Sequence, residues 1–332
     1  MGWKLRLILS TALAMFVAAG GWLVFSQSRA EAQEVHIQPR THLTGPATTG
    51  SAERLRVDSD LVLIPVVVTD QQDRSVTGLG REYFRLWDQK TEQTISHFTA
   101  EDTPVSIGLV FDCSRSMADK LTRSRAAVAE FIRTANPQDE FSLVRFSDRA
   151  ELVQGFTNNL ADIQNRMIFL QANGSTALLD AVVLSLNEMR HAKNQRKAML
   201  IISDGGDNNS RYSIREMRDR LKEADVQIYS IGIMEPFGAR LLSPEEDAGP
   251  GLLDDIARQT GGRLFVVDDL NELTRVAIKI GAALRNQYVL GYVPTGEMRD
   301  GKYHRVEVKL NPPKGLPPLR ASFRSGYFAP AN

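Results

Sequence analysis

Between residues 104 and 286, short solid apolar runs alternate with stretches of helical spacing, and this alternation constrains the fold more than any other feature. Residues 106–111 (SIGLVF), 198–203 (AMLIIS) and 226–233 (VQIYSIGI) are nearly unbroken apolar or small runs, as expected for strands covered on both faces. Residues 141–146 and 263–267 are two more strand candidates. Residues 118–134, 161–169, 176–191, 213–224, 251–260 and 271–285 read as helices; in the first, Leu121, Val128, Phe131 and Ile132 fall at helical spacing. Repeated strand-then-helix order predicts an α/β fold with a mainly parallel sheet wrapped on both faces, because each parallel crossover needs a helix.

The flanks have a different texture. Residues 61–68 (LVLIPVVV) are rich in β-branched side chains, and Pro65 inside them points to an edge strand or a bulge. Residues 83–87 and 93–98 read as a hairpin around Asp88, Gln89 and Lys90. After residue 286 the strand pattern returns at 287–293, 303–310 and 319–328. Val306, Val308 and Leu310 share one face, and a lone hairpin cannot bury such a face. The expected organisation is therefore a small antiparallel β domain assembled from 55–103 and 287–332 around an α/β domain at 104–286.

The first 32 residues place this fold in a compartment. Residues 7–25 form an uncharged apolar run preceded by Lys4 and Arg6, and Ala30-Glu31-Ala32 supplies a small-x-small cleavage site. The run suits either a cleaved export signal or a retained membrane anchor, being close to the ~20 residues that span a bilayer. Either way the bulk lies outside the cytoplasm, secreted or periplasmic, with attachment through residues 7–25 if the anchor is retained. Residues 33–54 are polar and read as a linker.

Composition narrows the chemistry. Lys plus Arg and Asp plus Glu both number 40, so there is no basic excess to neutralise phosphates, and nucleic-acid binding is not expected. A single Cys excludes an internal disulfide and any Cys-based zinc site, and the five His residues have no metal-ligand spacing. Function then falls to hydroxyls, carboxylates and backbone. Three segments concentrate them at strand ends or helix starts: Asp112, Ser114 and Ser116; Thr176 in Gly174-Ser175-Thr176; and Asp204 in Ser203-Asp204-Gly205. In open parallel sheets ligands bind at the carboxyl ends of the strands, where strand order reverses. Two carboxylates and three hydroxyls there form a hard-oxygen set suited to Mg²⁺ or Mn²⁺.

Each segment alone also fits a plainer role. Ser and Asp cap helices, Thr176 could only start its helix, and Asp204 could only turn the chain before Gly205. The combination, in this order, resembles the metal-ion-dependent adhesion site of von Willebrand factor A domains: Asp-x-Ser-x-Ser, a Thr about sixty residues on, then an Asp in an Asp-Gly turn. The exported part also resembles a bacterial von Willebrand factor A-related family common in acidobacteria. The segments that carry this likeness are LVLIPVVVTD at 61–70, YVLGYVPT at 288–295 and GYFAP at 326–330.

The resemblance implies that Ser114 and Ser116 bind a metal directly, that Thr176 joins them when ligand is engaged, and that Asp112 and Asp204 act directly or through water. Mostly neutral ligands would leave the dication under-neutralised, so that a carboxylate of a protein partner completes its shell. Arg115 departs from the family, which often has Gly or another small residue there; it could hinder a ligand or pair with its carboxylate.

No Gly-x-Ser-x-Gly, Walker A or Gly-x-Gly-x-x-Gly motif occurs. An aspartyl-phosphate mechanism would want a carboxylate two residues after Asp112, where Ser114 stands. The expected function is a non-enzymatic binding module using a metal adhesion site. The alternatives are a metal-independent structural or assembly factor of the cell envelope and, third, a metal-dependent hydrolase.

Overall fold

The structure is a computed structural model that describes residues 61–234, 244–294, 300–313 and 315–329. The expected export segment and linker lie outside the described residues. Among those described, no helix is long and apolar enough to cross a membrane.

Four strands come first: β1 (Val62–Thr69), β2 (Phe84–Asp88), β3 (Thr91–Gln93) and β4 (His97–Thr99). Then follow β5 (Val105–Asp112), α1 (Leu121–Arg133), β6 (Glu140–Phe146), β7 (Ala150–Thr157), α2 (Leu160–Ile168) and α3 (Leu178–Glu188). The middle of the chain continues with β8 (Arg196–Ser203), α4 (Ile214–Glu223), β9 (Gln227–Ile233), α5 (Pro244–Gln259), β10 (Leu264–Val267) and α6 (Leu273–Arg285). Last come β11 (Gln287–Tyr292), β12 (Tyr303–Leu310), β13 (Arg320–Phe323) and β14 (Gly326–Phe328).

The central sheet has six strands in the order β10-β9-β8-β5-β6-β7, all parallel except β7. Strand alternation divides its side chains between two cores. Ile107, Leu109 and Phe111 of β5 face α1, α2 and α6, while Val110 faces α3, α4 and α5. The chain leaves β5 for β6 on one side, and β8 lies on the other, so β5 is the switch point of the sheet.

The flanking strands form two four-stranded antiparallel sheets, β13-β1-β11-β4 and β14-β12-β2-β3. They share a core built from Ile64, Val66, Leu86, Tyr288, Leu290, Val306 and Val308, among others. Strands from before and after the central sheet thus pair directly, as Ile64 with Leu290 and Val308 with Leu86. Pro65 lies inside β1, where only β11 pairs with it; the register with β13 starts at Val66. The missing N–H therefore costs the ladder nothing on the open side.

Several sequence expectations need correction. Residues 93–98 are not one strand of a hairpin: β3 pairs with β2, whereas β4 crosses to β11 in the other sheet. Buried Ile95 sits at the crossing and fills the core between the sheets. Residues 319–328 likewise split into β13 and β14, one in each sheet. At the break, Arg324 donates to the Leu63 carbonyl (2.9 Å) and to Asp225 (2.7 Å). Residues 150–157, with neither a solid run nor clean alternation, form the antiparallel edge strand β7. The helix expected at 251–260 starts earlier, at Pro244, with Pro250 inside it.

Candidate functional site

β5 carries a fully buried row of residues that ends at Asp112. Its neighbour β8 ends level with it, Phe111 opposite Ile202, so Ser203 reaches the same rim. The Ser203 hydroxyl donates to Asp112 Oδ2 at 2.5 Å and accepts the Gly205 N–H at 3.0 Å. Asp112 Oδ1 accepts the Ser114 N–H at 2.8 Å, which folds the chain back over the strand end. The Ser114 and Ser116 hydroxyls then lie 3.1 Å apart, Ser114 buried and Ser116 half-buried. Met117, between this turn and α1, is buried in the core and fixes the turn from beneath.

Backbone bonds stitch the three loops together. The Asn173 N–H donates to the Cys113 carbonyl (2.8 Å) and the Arg115 N–H to the Gly174 carbonyl (3.1 Å). Gly174 has φ +73°, a conformation suited to glycine, and a Cβ there would strike the Asp148 carboxylate. Asp148 accepts the Ser175 N–H at 2.8 Å. Thr176, buried just ahead of α3, donates its N–H to Asn208 Oδ1 (2.9 Å), and its carbonyl accepts the Asn208 and Asn209 N–H groups. Asp180 in α3 accepts the Arg211 and Tyr212 N–H groups, fastening the far end of the third loop.

The electrostatics follow from this burial. Burial, and then the neighbouring charge of Asp204, hold the Asp112 carboxyl well above the usual carboxylate range, against the bonds from Ser203 and Ser114. Asp204 lies within reach of a cation: Lys120 Nζ donates to its Oδ2 at 3.0 Å, with only 9% of the Lys120 side chain exposed. Burial pushes the Cys113 thiol up to about 12, so it is an inert filler rather than a nucleophile. Arg115 is exposed at the rim.

The structure thus gathers Asp112, Ser114 and Ser116 into one hydrogen-bonded unit, sets Asp204 close enough to act on Asp112, and places Thr176 on the loop bonded to both neighbours. Asp207 accepts the Ser210 hydroxyl (2.6 Å) and the Leu179 N–H (3.2 Å) beside α3. Sequence reasoning missed Ser203, Asn208 and Lys120. Lys120 had a signal: it falls in the first turn of the helix expected at 118–134, where a cation opposes the helix dipole and needs another reason to be there.

Among the described residues there is no group of three or more His, Cys, Asp or Glu able to hold a metal. An ion here would depend on two carboxylates supplemented by hydroxyls. The donors present are of that kind. They are hard oxygens on a preorganised loop cluster, and the two carboxylates repel each other where water is excluded.

Residues 107–206 match the family model for the von Willebrand factor type A domain. The chain is 27% identical over 154 residues to inter alpha-trypsin inhibitor, heavy chain 4, of Mus musculus, a match covering 41% of this chain and 16% of that protein. It is 24% identical over 184 residues to an uncharacterized protein of Borreliella burgdorferi, covering 49% of this chain and 54% of the relative. The chain therefore spans about half or less of the relatives it matches. A solved von Willebrand factor type A structure from Catenulispora acidiphila aligns with a TM-score of 0.47 at 14% identity, covering 80% of this chain and 73% of that one. The parallel sheet with Asp112 at its switch point and the matched residues 107–206 lead to one identification: the chain carries a von Willebrand factor type A domain.

Proposed function

We propose that the protein is an exported, non-catalytic binding module that holds a Mg²⁺ or Mn²⁺ ion at the rim of β5 and β8 and engages an acidic side chain of a protein partner. The observation that carries this reading is the paired carboxylates. Burial and then the charge of Asp204 raise the Asp112 carboxyl's affinity for a proton, and two carboxylates set together where water is excluded would also favour a shared cation. Ser114, Ser116 and Thr176 would supply neutral oxygens, with Asp112 and Asp204 bound directly or through water. A dication so held keeps positive charge to spare and would attract the partner's carboxylate. The loop bonds around Gly174 and Asn208 would hold the donors in place before the ion arrives. Export is supported by the apolar run at residues 7–25, and the antiparallel sheets would set the orientation of the rim.

Capture of a partner from an envelope extract tests this reading. Immobilised protein should retain a partner in Mg²⁺ and release it in chelator, and Ser114→Ala should abolish retention. Undiminished capture in chelator contradicts the metal reading.

A second reading is favoured by one observation. Lys120 already supplies a positive charge to Asp204, as a structural or assembly factor working without metal would require. A metal-dependent hydrolase would need a general base at the rim. His97, His191 and His304 lie in β4, after α3 and in β12, none of them in the three loops.

A further inference from the structure

We propose that Lys120 is a built-in competitor of the divalent ion: its ammonium occupies Asp204 in the metal-free protein, and metal enters only by displacing it. This inference rests on the metal reading of the site.

Four features of the structure support it. The Lys120 side chain is almost wholly buried, and its ammonium lies 3.0 Å from Asp204 Oδ2, so the pair is not a screened surface contact. The chain holds it there at a cost, since Lys120 stands at the amino end of α1, where the helix dipole repels a cation. Its backbone is fixed on both sides: its N–H donates to the Met117 carbonyl at 3.0 Å, and its carbonyl accepts the Ser124 N–H at 3.0 Å. The Ser124 hydroxyl, itself buried, adds a second bond to that carbonyl. The stem is thereby aimed at Asp204 from the same turn that carries Ser114 and Ser116.

The electrostatics give the competition its sign. Asp112 and Asp204 are neighbouring carboxylates in a dry setting, so the metal-free site needs a positive charge whenever both are ionised. Lys120 supplies it as a tethered cation on the chain itself. A dication drawn to the same carboxylates is repelled by the ammonium beside them, and both cannot hold Asp204 on equal terms. Occupancy then costs the protein the Lys120–Asp204 pair. The domain is expected to keep its loops assembled without metal and to bind metal more weakly than the same donors would if Lys120 were neutral.

The test is Mn²⁺ titration of the wild-type protein and of Lys120→Met, read by calorimetry and by electron paramagnetic resonance of free Mn²⁺, with metal-free melting temperatures alongside. Lys120→Met is expected to bind Mn²⁺ on the order of tenfold more tightly, equivalent to about 1.4 kcal/mol. It should melt lower than wild type without metal and recover that loss with saturating Mn²⁺. Equal or weaker binding by the variant, with wild type binding, overturns the competition and leaves the metal reading standing. Absence of binding by both folded proteins overturns the metal reading and the competition with it. Should Lys120→Met fail to fold, acylation of Lys120 in the wild-type protein, followed by mass spectrometry, replaces it. Labelling is expected to rise several-fold on adding Mn²⁺, and unchanged labelling overturns the proposal.

Discussion

The Ser203 hydroxyl donates to the Asp112 carboxylate at 2.5 Å, joining the ends of the neighbouring parallel strands β8 and β5 at the rim of the sheet. Both residues are fully buried, and the same hydroxyl accepts the Gly205 N–H that opens the third loop. Ser203→Ala removes both bonds and leaves a buried carboxylate short of a donor. The expected loss is about 1–3 kcal/mol of stability. Ser203→Thr, which keeps the hydroxyl, should retain most of it. Urea denaturation measures both, and equal stability of all three proteins would contradict the structural role.

Asp112 also sets a pH dependence. Its pKa is raised in the folded protein, so its neutral form is favoured there; its contribution is present in full below the ordinary value of 3.8 and is lost as pH rises through the folded value. Without metal, wild type should therefore lose stability relative to Asp112→Asn between about pH 4 and about pH 8. Thermal melts of the two proteins across this range give the comparison. A difference that stays flat, or one that moves in favour of wild type, contradicts the account.

The paired antiparallel sheets have a polar centre of their own. Asp88, fully buried at the end of β2, accepts from the Tyr292 hydroxyl (2.9 Å) and the Tyr327 hydroxyl (3.0 Å), with His304 Nδ1 at 3.2 Å. Burial pushes the Tyr327 phenol up to about 12, so it remains a donor throughout the physiological range. Tyr292→Phe and Tyr327→Phe should each cost about 1–3 kcal/mol. The double variant should depart from additivity, because both hydroxyls serve one carboxylate. Chemical denaturation of the four proteins in this cycle measures the coupling; strict additivity would contradict a shared network.

The fold was legible in the sequence where burial on both faces wrote continuous apolar runs, as in β5 and β8. It was illegible where the pattern depends on partners distant in the chain. β7 is half-exposed at an edge, with Gly155 within it, and so shows no clean period. The segments at 93–98 and 319–328 each serve two sheets, and only the packing of Ile95 and the anchoring of Arg324 mark the crossings. At the rim, Asp112, Ser114, Ser116, Thr176 and Asp204 stood out by their order along the chain. Ser203 and Lys120 did not, since their roles arise from the level ends of β5 and β8 and from a side chain reaching 84 residues along the sequence.

The central claim is a cation site at this rim, and Mn²⁺ titration calorimetry of the wild-type protein beside Asp112→Ala and Ser114→Ala tests it most directly. The expected result is saturable binding of one Mn²⁺ by wild type, a rise in melting temperature with metal, and loss of both in the two variants while they stay folded. No heat and no thermal shift for wild type would contradict the account.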